Sequence, residues 1–226
     1  MSGTTYVFGS SGFLFRSNKL MYDQNTKSLW HNLTGEPVVG SLADSGIKLT
    51  VRPIVTTTWR DWLQTHPDTV VLDINTGYVR DYTPGRPYGQ YFASPETMFP
   101  ASPRSARLRT KEYVFAMRLK GKAKVYPLEV LDKEPVVNDT LAGTNLVIVA
   151  NAATRTARAF ERGAFHFRRG RESMELVETV TGEVWSVEEE ALVNRASGQR
   201  LTRLGGHIAY WFGWFGFYPD TQVYGK

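Results

Sequence analysis

The chain has no cysteine among its 226 residues, which removes disulfide scaffolds, thiolate zinc sites, iron–sulfur clusters and cysteine nucleophiles together. Cysteine-free chains suit oxidising and reducing compartments alike, so the compartment stays open. Histidine is scarce as well. His31, His66, His166 and His207 form no H-x-x-x-H or H-x-H pair, so spacing indicates no metal site and no cofactor. No apolar run approaches the ~18 residues of a membrane span, and the aromatic stretch from Ile208 to Phe217 is short and glycine-rich. The opening MSGTTYVFGS has no basic region followed by an apolar one, so no signal peptide is read there. Neither a G-x-x-x-x-G-K-[ST] loop nor a G-x-G-x-x-G fingerprint with a following acidic residue occurs, which leaves nucleotide binding without a motif.

What is present is an ordinary apolar content with many aromatics, on a chain long enough for one large domain or two small ones. Lys and Arg number 27 against 22 Asp and Glu, a balance of +5. A surplus of that size supports solubility and weak attraction to anions.

The aromatics fall in a pattern. Trp59-x-x-Trp62 and Trp211-x-x-Trp214 are each followed by Pro-Asp-Thr, at Pro67-Asp68-Thr69 and Pro219-Asp220-Thr221. Upstream, the ten residues Met21 to Trp30 align without a gap with Leu176 to Trp185, matching apolar, acidic, Thr and Trp positions. Further back, Tyr6-Val7-Phe8 faces Phe165-His166-Phe167. Three matches in one order, roughly 150 residues apart, indicate a duplicated lobe and not a solenoid of short units.

Each copy has the same grammar: a strand, a Thr/Gly turn, a short strand ending in Trp, then a short helix and a further strand. Trp59, Trp62 and Leu63 share one helical face. Thr56 to Thr58 offer N-cap oxygens, Pro67 stops the helix, and Val70-Val71-Leu72 reads as the strand after it. Core packing is the expected role of the tryptophans. The second copy has an additional front. Tyr113 to Leu119 and Ala123 to Tyr126 read as a hairpin, Pro127 to Leu131 as a short helix, and Leu146–Val149 and Thr156–Phe160 as strands. Nothing before Tyr6 matches that front, so the first lobe is expected to lack its opening third. Its open sheet edge then predicts a homo-oligomer.

Four long stretches resemble the prokaryotic domain-of-unknown-function family numbered 3179. They are FGSSGFLFRSNKLMYDQNTKSLWHNLTGEPVVG, TTTWRDWLQTHPDTVVL with INTGYVRDY, AKVYPLEVLDKEPVVNDTLAG, and YWFGWFGFYPDT. The resemblance covers nearly the whole chain. It implies an exported prokaryotic protein without an assigned reaction. It also implies an additional N-terminal section, with a V-N-D-T-like turn and a C-P-x-C-like pair, that this sequence does not carry.

Candidate chemistry is sparse. GSSG at Gly9 to Gly12 misses the G-x-S-x-G nucleophile elbow because Phe stands at position 13, and reads as a turn or bulge. Asn138-Asp139-Thr140 reads as a turn, or alternatively as a carboxylate at a loop tip beside Tyr126 and Glu129. The Arg-rich residues 154–172 read as a hairpin with phenylalanines inward and arginines outward, and not as a nucleic-acid surface. In the first lobe, Ser11, Asn18, Asp23 and His31 are the best nucleophile and acid–base candidates.

The expected architecture is mainly β, with two pseudo-symmetric lobes and short Trp-containing helices. Residues 1–72 form the first lobe, 73–110 an ordered irregular connection, and 111–226 the complete second lobe. A cleft between lobes is the natural site, and Tyr78, Arg80, Tyr82, Arg86, Tyr88 and Tyr91 are the candidate lining. Those side chains favour a binding module for a carbohydrate or anionic small molecule. A hydrolase built on the first-lobe Ser, Asp and His is the alternative, and an assembly subunit the third.

Overall fold

A computed structural model describes residues 5–83 and 85–226. Strands dominate it, arranged among the described residues in sheets of four, eight and four strands.

The first sheet is an antiparallel meander of β1 (Phe8–Phe15), β2 (Asn18–Asp23), β3 (Leu29–His31) and β4 (Pro37–Val39). Arg16 and Ser17 take positive φ in the two-residue turn between β1 and β2, the geometry that matches strand twist in tight hairpins. The GSSG segment lies within β1, whose register slips between Ser10 and Leu14. α1 (Trp59–Thr65) starts where Thr58 Oγ1 accepts the Asp61 amide, satisfying one of the amides a helix start leaves unpaired. α2 spans Gly89–Ala93.

The second part begins with β5 (Tyr113–Leu119), β6 (Lys122–Pro127) and α3 (Leu128–Lys133), as the alternation and the Lys120-Gly121 turn suggest. It continues with β7 (Val136–Leu141), β8 (Thr144–Asn151), β9 (Thr156–Glu161), β10 (Phe167–Arg169), β11 (Glu175–Glu178), β12 (Val184–Val187), β13 (Ala191–Asn194) and β14 (Arg200–Leu204). β15 (His207–Tyr210), α4 (Trp211–Phe215) and β16 (Gln222–Val223) end the chain. The eight-stranded sheet runs β10-β11-β12-β13-β14-β9-β8-β7, and the third sheet β15-β5-β6-β16. The larger sheet curls until its end strands meet. There the Asn138 side chain donates to the Phe167 carbonyl (2.7 Å) and accepts the Phe167 amide (2.9 Å), so one amide side chain copies a peptide unit across the seam.

The aligned segments make the same bonds. The Asp23 amide donates to the Ser28 carbonyl and the Glu178 amide to the Glu183 carbonyl; Gln24 N reaches Val7 O, and Thr179 N reaches His166 O. Trp30 packs between Tyr6 and Phe8 at 5.4 and 5.3 Å, Trp185 between Phe165 and Phe167 at 5.3 and 5.4 Å. Both indoles are fully buried, and truncating either to Ala costs about 3–5 kcal/mol. Trp62 Nε1 donates to Thr69 Oγ1 at 2.9 Å, and Trp214 Nε1 to Thr221 Oγ1 at 3.0 Å.

Four expectations differ from the structure. Asn138-Asp139-Thr140 lies inside β7, because Ala142 and Gly143, both at positive φ, make the turn two residues later. Residues 154–172 are not a hairpin: β9 pairs with β8 and β14, while β10 pairs with β11. Arg158 and Arg162 are buried, held by Glu189 and by the carbonyls of Leu146 and Phe165. Val70-Val71-Leu72 forms no strand and Trp59 is 47% exposed, because among the described residues no strand pairs with 70–72 to cover them.

Candidate functional site

A cavity of about 880 Å³ opens where the connection meets the third sheet. Its lining includes Phe92, Ser94 and Pro95, Lys111 and Tyr113, Glu129 and Asp132 of α3, and Ala152, Ala153 and Arg155. Lys111 holds the connection in place. Its ammonium donates to the carbonyls of Tyr91 (2.5 Å) and Ser94 (2.8 Å) and sits 3.4 Å from the Tyr91 ring centroid. A desolvated cation over an aromatic face contributes about 2 kcal/mol.

At the inner end, Tyr113 and Tyr210 stack at 4.5 Å, their hydroxyls 2.8 Å apart. Burial first, then the Tyr113 hydroxyl, pushes the Tyr210 phenol well above its ordinary range, and burial does the same to Tyr91. Both phenols therefore stay protonated and act as hydrogen-bonding groups. The Arg155 guanidinium lies 4.1 Å from the Tyr113 ring and donates to its hydroxyl at 2.9 Å. Arg155 occupies a left-handed turn position (φ 55) between β8 and β9, which aims its side chain back at the cavity. Arg109, on the rim, is bonded by Glu112 and Glu129. Among the described residues no carboxylate pairs with Arg155, which is exposed and lines the cavity.

The first-lobe candidates are engaged elsewhere, each in its own turn or contact. Ser11 donates to the Leu20 carbonyl (2.7 Å). Asn18 donates to the Gly213 carbonyl, and Arg16 to that of Gly216, tying the first sheet to α4. Asp23 is fully buried and accepts from Thr26 and from Trp30 Nε1. Burial opposes its ionisation, but those donors outweigh burial and hold the carboxyl below its ordinary value. His31 accepts the Thr34 amide on Nδ1 and stacks on Phe217 at 3.9 Å, and burial lowers its pKa to about 4.

Of the connection residues, Tyr91 lies beside the cavity, under Lys111 and edge-on to Tyr210. Tyr78, Arg80, Tyr82 and Tyr88 are exposed, and Arg86 pairs with Asp81. Nothing in the sequence marks Lys111, Tyr113 and Arg155 as site residues, and Glu129 enters only as a neighbour in the loop-tip reading of Asp139. They lie on separate elements and share no spacing that marks them as a set; the positive surplus around residues 104–111 was the available signal.

Asp139 forms a second polar knot. It accepts from Lys124 (2.6 Å) and from the Tyr126 hydroxyl (2.8 Å). Burial opposes its charge, yet Lys124 and these hydrogen bonds keep the carboxyl low. Among the described residues no three His, Asp or Glu side chains are grouped to hold a metal ion, and no helix is long and apolar enough to cross a membrane.

The family model described as "Protein of unknown function (DUF3179)" matches residues 1–221. No curated protein and no solved structure matches the chain.

Proposed function

The chain belongs to the DUF3179 family, and from that premise we propose a non-catalytic module that binds a small carbohydrate bearing a negative charge. The observation that carries this is Arg155: a guanidinium without a carboxylate partner, held against the Tyr113 ring at the end of an 880 Å³ cavity. Phe92 offers a face for a sugar ring, Glu129 and Asp132 bond its hydroxyls, and Arg155, seated on the Tyr113 ring, receives the charge. Cavities of this size with a few convergent polar groups are the usual form of small-ligand sites, and Arg suits planar carboxylates.

The division into a first unit (1–72), a connection (73–110) and a second unit (111–226) is part of the proposal, with Tyr91 the member of the connection that borders the ligand. A hydrolase centred on Ser11, Asn18, Asp23 and His31 has less support, since their polar atoms already serve the turns and the sheet. Exposed Phe13, Leu14 and Phe15 on edge strand β1 support a homo-oligomer through the first unit.

Calorimetric titration with uronic-acid oligosaccharides, and with their neutral counterparts, tests the site. The charged ligand is expected to bind more tightly. Arg155→Ala is expected to weaken it by about tenfold or more, the worth of one charge-assisted hydrogen bond. Equal binding of charged and neutral sugars, or binding untouched by Arg155→Ala, would remove the proposal.

A further inference from the structure

The two Trp-x-x-Trp units share a local lock but not a neighbourhood. In each, the second indole donates to a threonine hydroxyl seven residues on, Trp62 to Thr69 and Trp214 to Thr221. In the second unit the lock delivers the chain into β16, which pairs in parallel with β6, Gln222 opposite Lys124 and Val223 opposite Val125. Trp211, Trp214, Phe215 and Val223 are buried there against Leu108, Val114, Ala116 and Val125. Arg107 completes the cover. Its guanidinium sits 5.2 Å from the Trp211 ring and donates to the carbonyls of Thr221 (2.8 Å) and Pro219 (3.3 Å).

The matching positions of the first unit are bare. Val71 corresponds to Val223, yet it is 67% exposed against 7%; Trp59 corresponds to Trp211, yet it is 47% exposed against 1%. Leu72 is 93% exposed, and among the described residues the run 70–72 pairs with no strand. An apolar segment whose amides and carbonyls pair with no strand among the described residues, already aimed by a formed turn, is a template for strand addition.

We infer that α1 and Val70–Leu72 form a docking surface for a polypeptide β-hairpin of the β5–β6 pattern, preceded by an arginine that caps Trp59. The second unit supplies the template for the occupant. Its second strand runs parallel to residues 70–72, its apolar side chains cover Trp59 and Trp62, and its arginine binds the carbonyls of Thr69 and Pro67. Asp61, Asp68 and Asp73 flank the bare run in sequence and favour a basic partner. A second copy of the chain does not fit this role, because its own β6 is already paired on both edges by β5 and β16.

The probe is a synthetic peptide of the sequence of residues 105–127, added to the whole chain and followed by hydrogen exchange and by the Trp59 indole resonance. A second form, with Leu119→Cys and Lys122→Cys joined by a disulfide beside the turn, keeps the hairpin formed. The expected result is exchange slowed by about tenfold or more at amides 70–72, with the Trp59 signal shifted. Val71→Asp, a change at an exposed position, abolishes both effects. An Arg107→Ala peptide binds about tenfold more weakly, the worth of a desolvated cation on an indole. Three results overturn the inference: neither peptide protects 70–72; protection falls on 222–223 instead; or the chain alone self-associates and protects 70–72, which assigns the surface to a second copy.

Discussion

Replacing His31 by asparagine separates the titration of the imidazole from its structural duty. His31 Nδ1 accepts the Thr34 amide within the turn between β3 and β4. In the second unit Asn194 does the same work, its Oδ1 accepting the amides of Ala196 and Ser197. The backbone bonds coincide as well: Gly35 N to His31 O, and Gly198 N to Asn194 O. His31→Asn should therefore keep the turn and lose the stacking on Phe217, at about 1 kcal/mol. Burial lowers the His31 pKa from 6.5 to about 4, the Glu36 charge opposing and the Arg16 charge assisting. Its stabilising contribution is complete above pH 6.5 and is lost as pH falls toward 4, because the unfolded chain takes up the proton first. Those two values give an upper bound of about 2 kcal/mol lost between about pH 7.5 and about pH 5. Burial also lowers the pKa of His207, but that residue is common to both proteins. Asp23, Asp139, Glu178 and Glu189 all lie below their ordinary carboxylate values, so their losses come at lower pH. Urea unfolding of the native protein and the variant at both pH values gives the difference directly. Equal pH dependence in the two would refute the assignment of a buried, neutral imidazole.

Thr221→Val leaves the buried Trp214 indole without its acceptor and should cost about 1–3 kcal/mol, while Thr69→Val, at the partly exposed counterpart, should cost well under 1 kcal/mol; thermal unfolding compares them. Gly206→Ala would bring a methyl to 2.4 Å from Phe115 Cζ, and should destabilise by about 1–3 kcal/mol through overpacking, read as a lower urea midpoint at unchanged slope.

Much of the fold was legible because the repeated residues are those whose chemistry fixes geometry. Asp23-Thr26-Trp30 and Glu178-Thr181-Trp185 share one spacing, and in both the carboxylate accepts from the threonine and the turn closes with the same backbone bonds. The β5–β6 hairpin was legible from its alternation and its glycine turn. Asn138-Asp139-Thr140 misled because turn-forming side chains were read without the better turn beside them, at Ala142-Gly143. The fate of Val70–Leu72 was hidden since a strand needs a neighbour, and the sequence of a segment does not say whether one is there. The cavity was hidden for a related reason: Lys111, Glu129 and Arg155 meet only after β5, α3 and the β8–β9 turn have packed.

Asn138 has a consequence for how the protein reaches its native state. Until Phe167 emerges, 29 residues later, β7 is an open ladder that any neighbouring chain can extend. Once the amide closes the loop of strands, that hazard disappears from the large sheet. A single carboxamide thus marks the boundary between a large sheet that still invites foreign strands and one that no longer does.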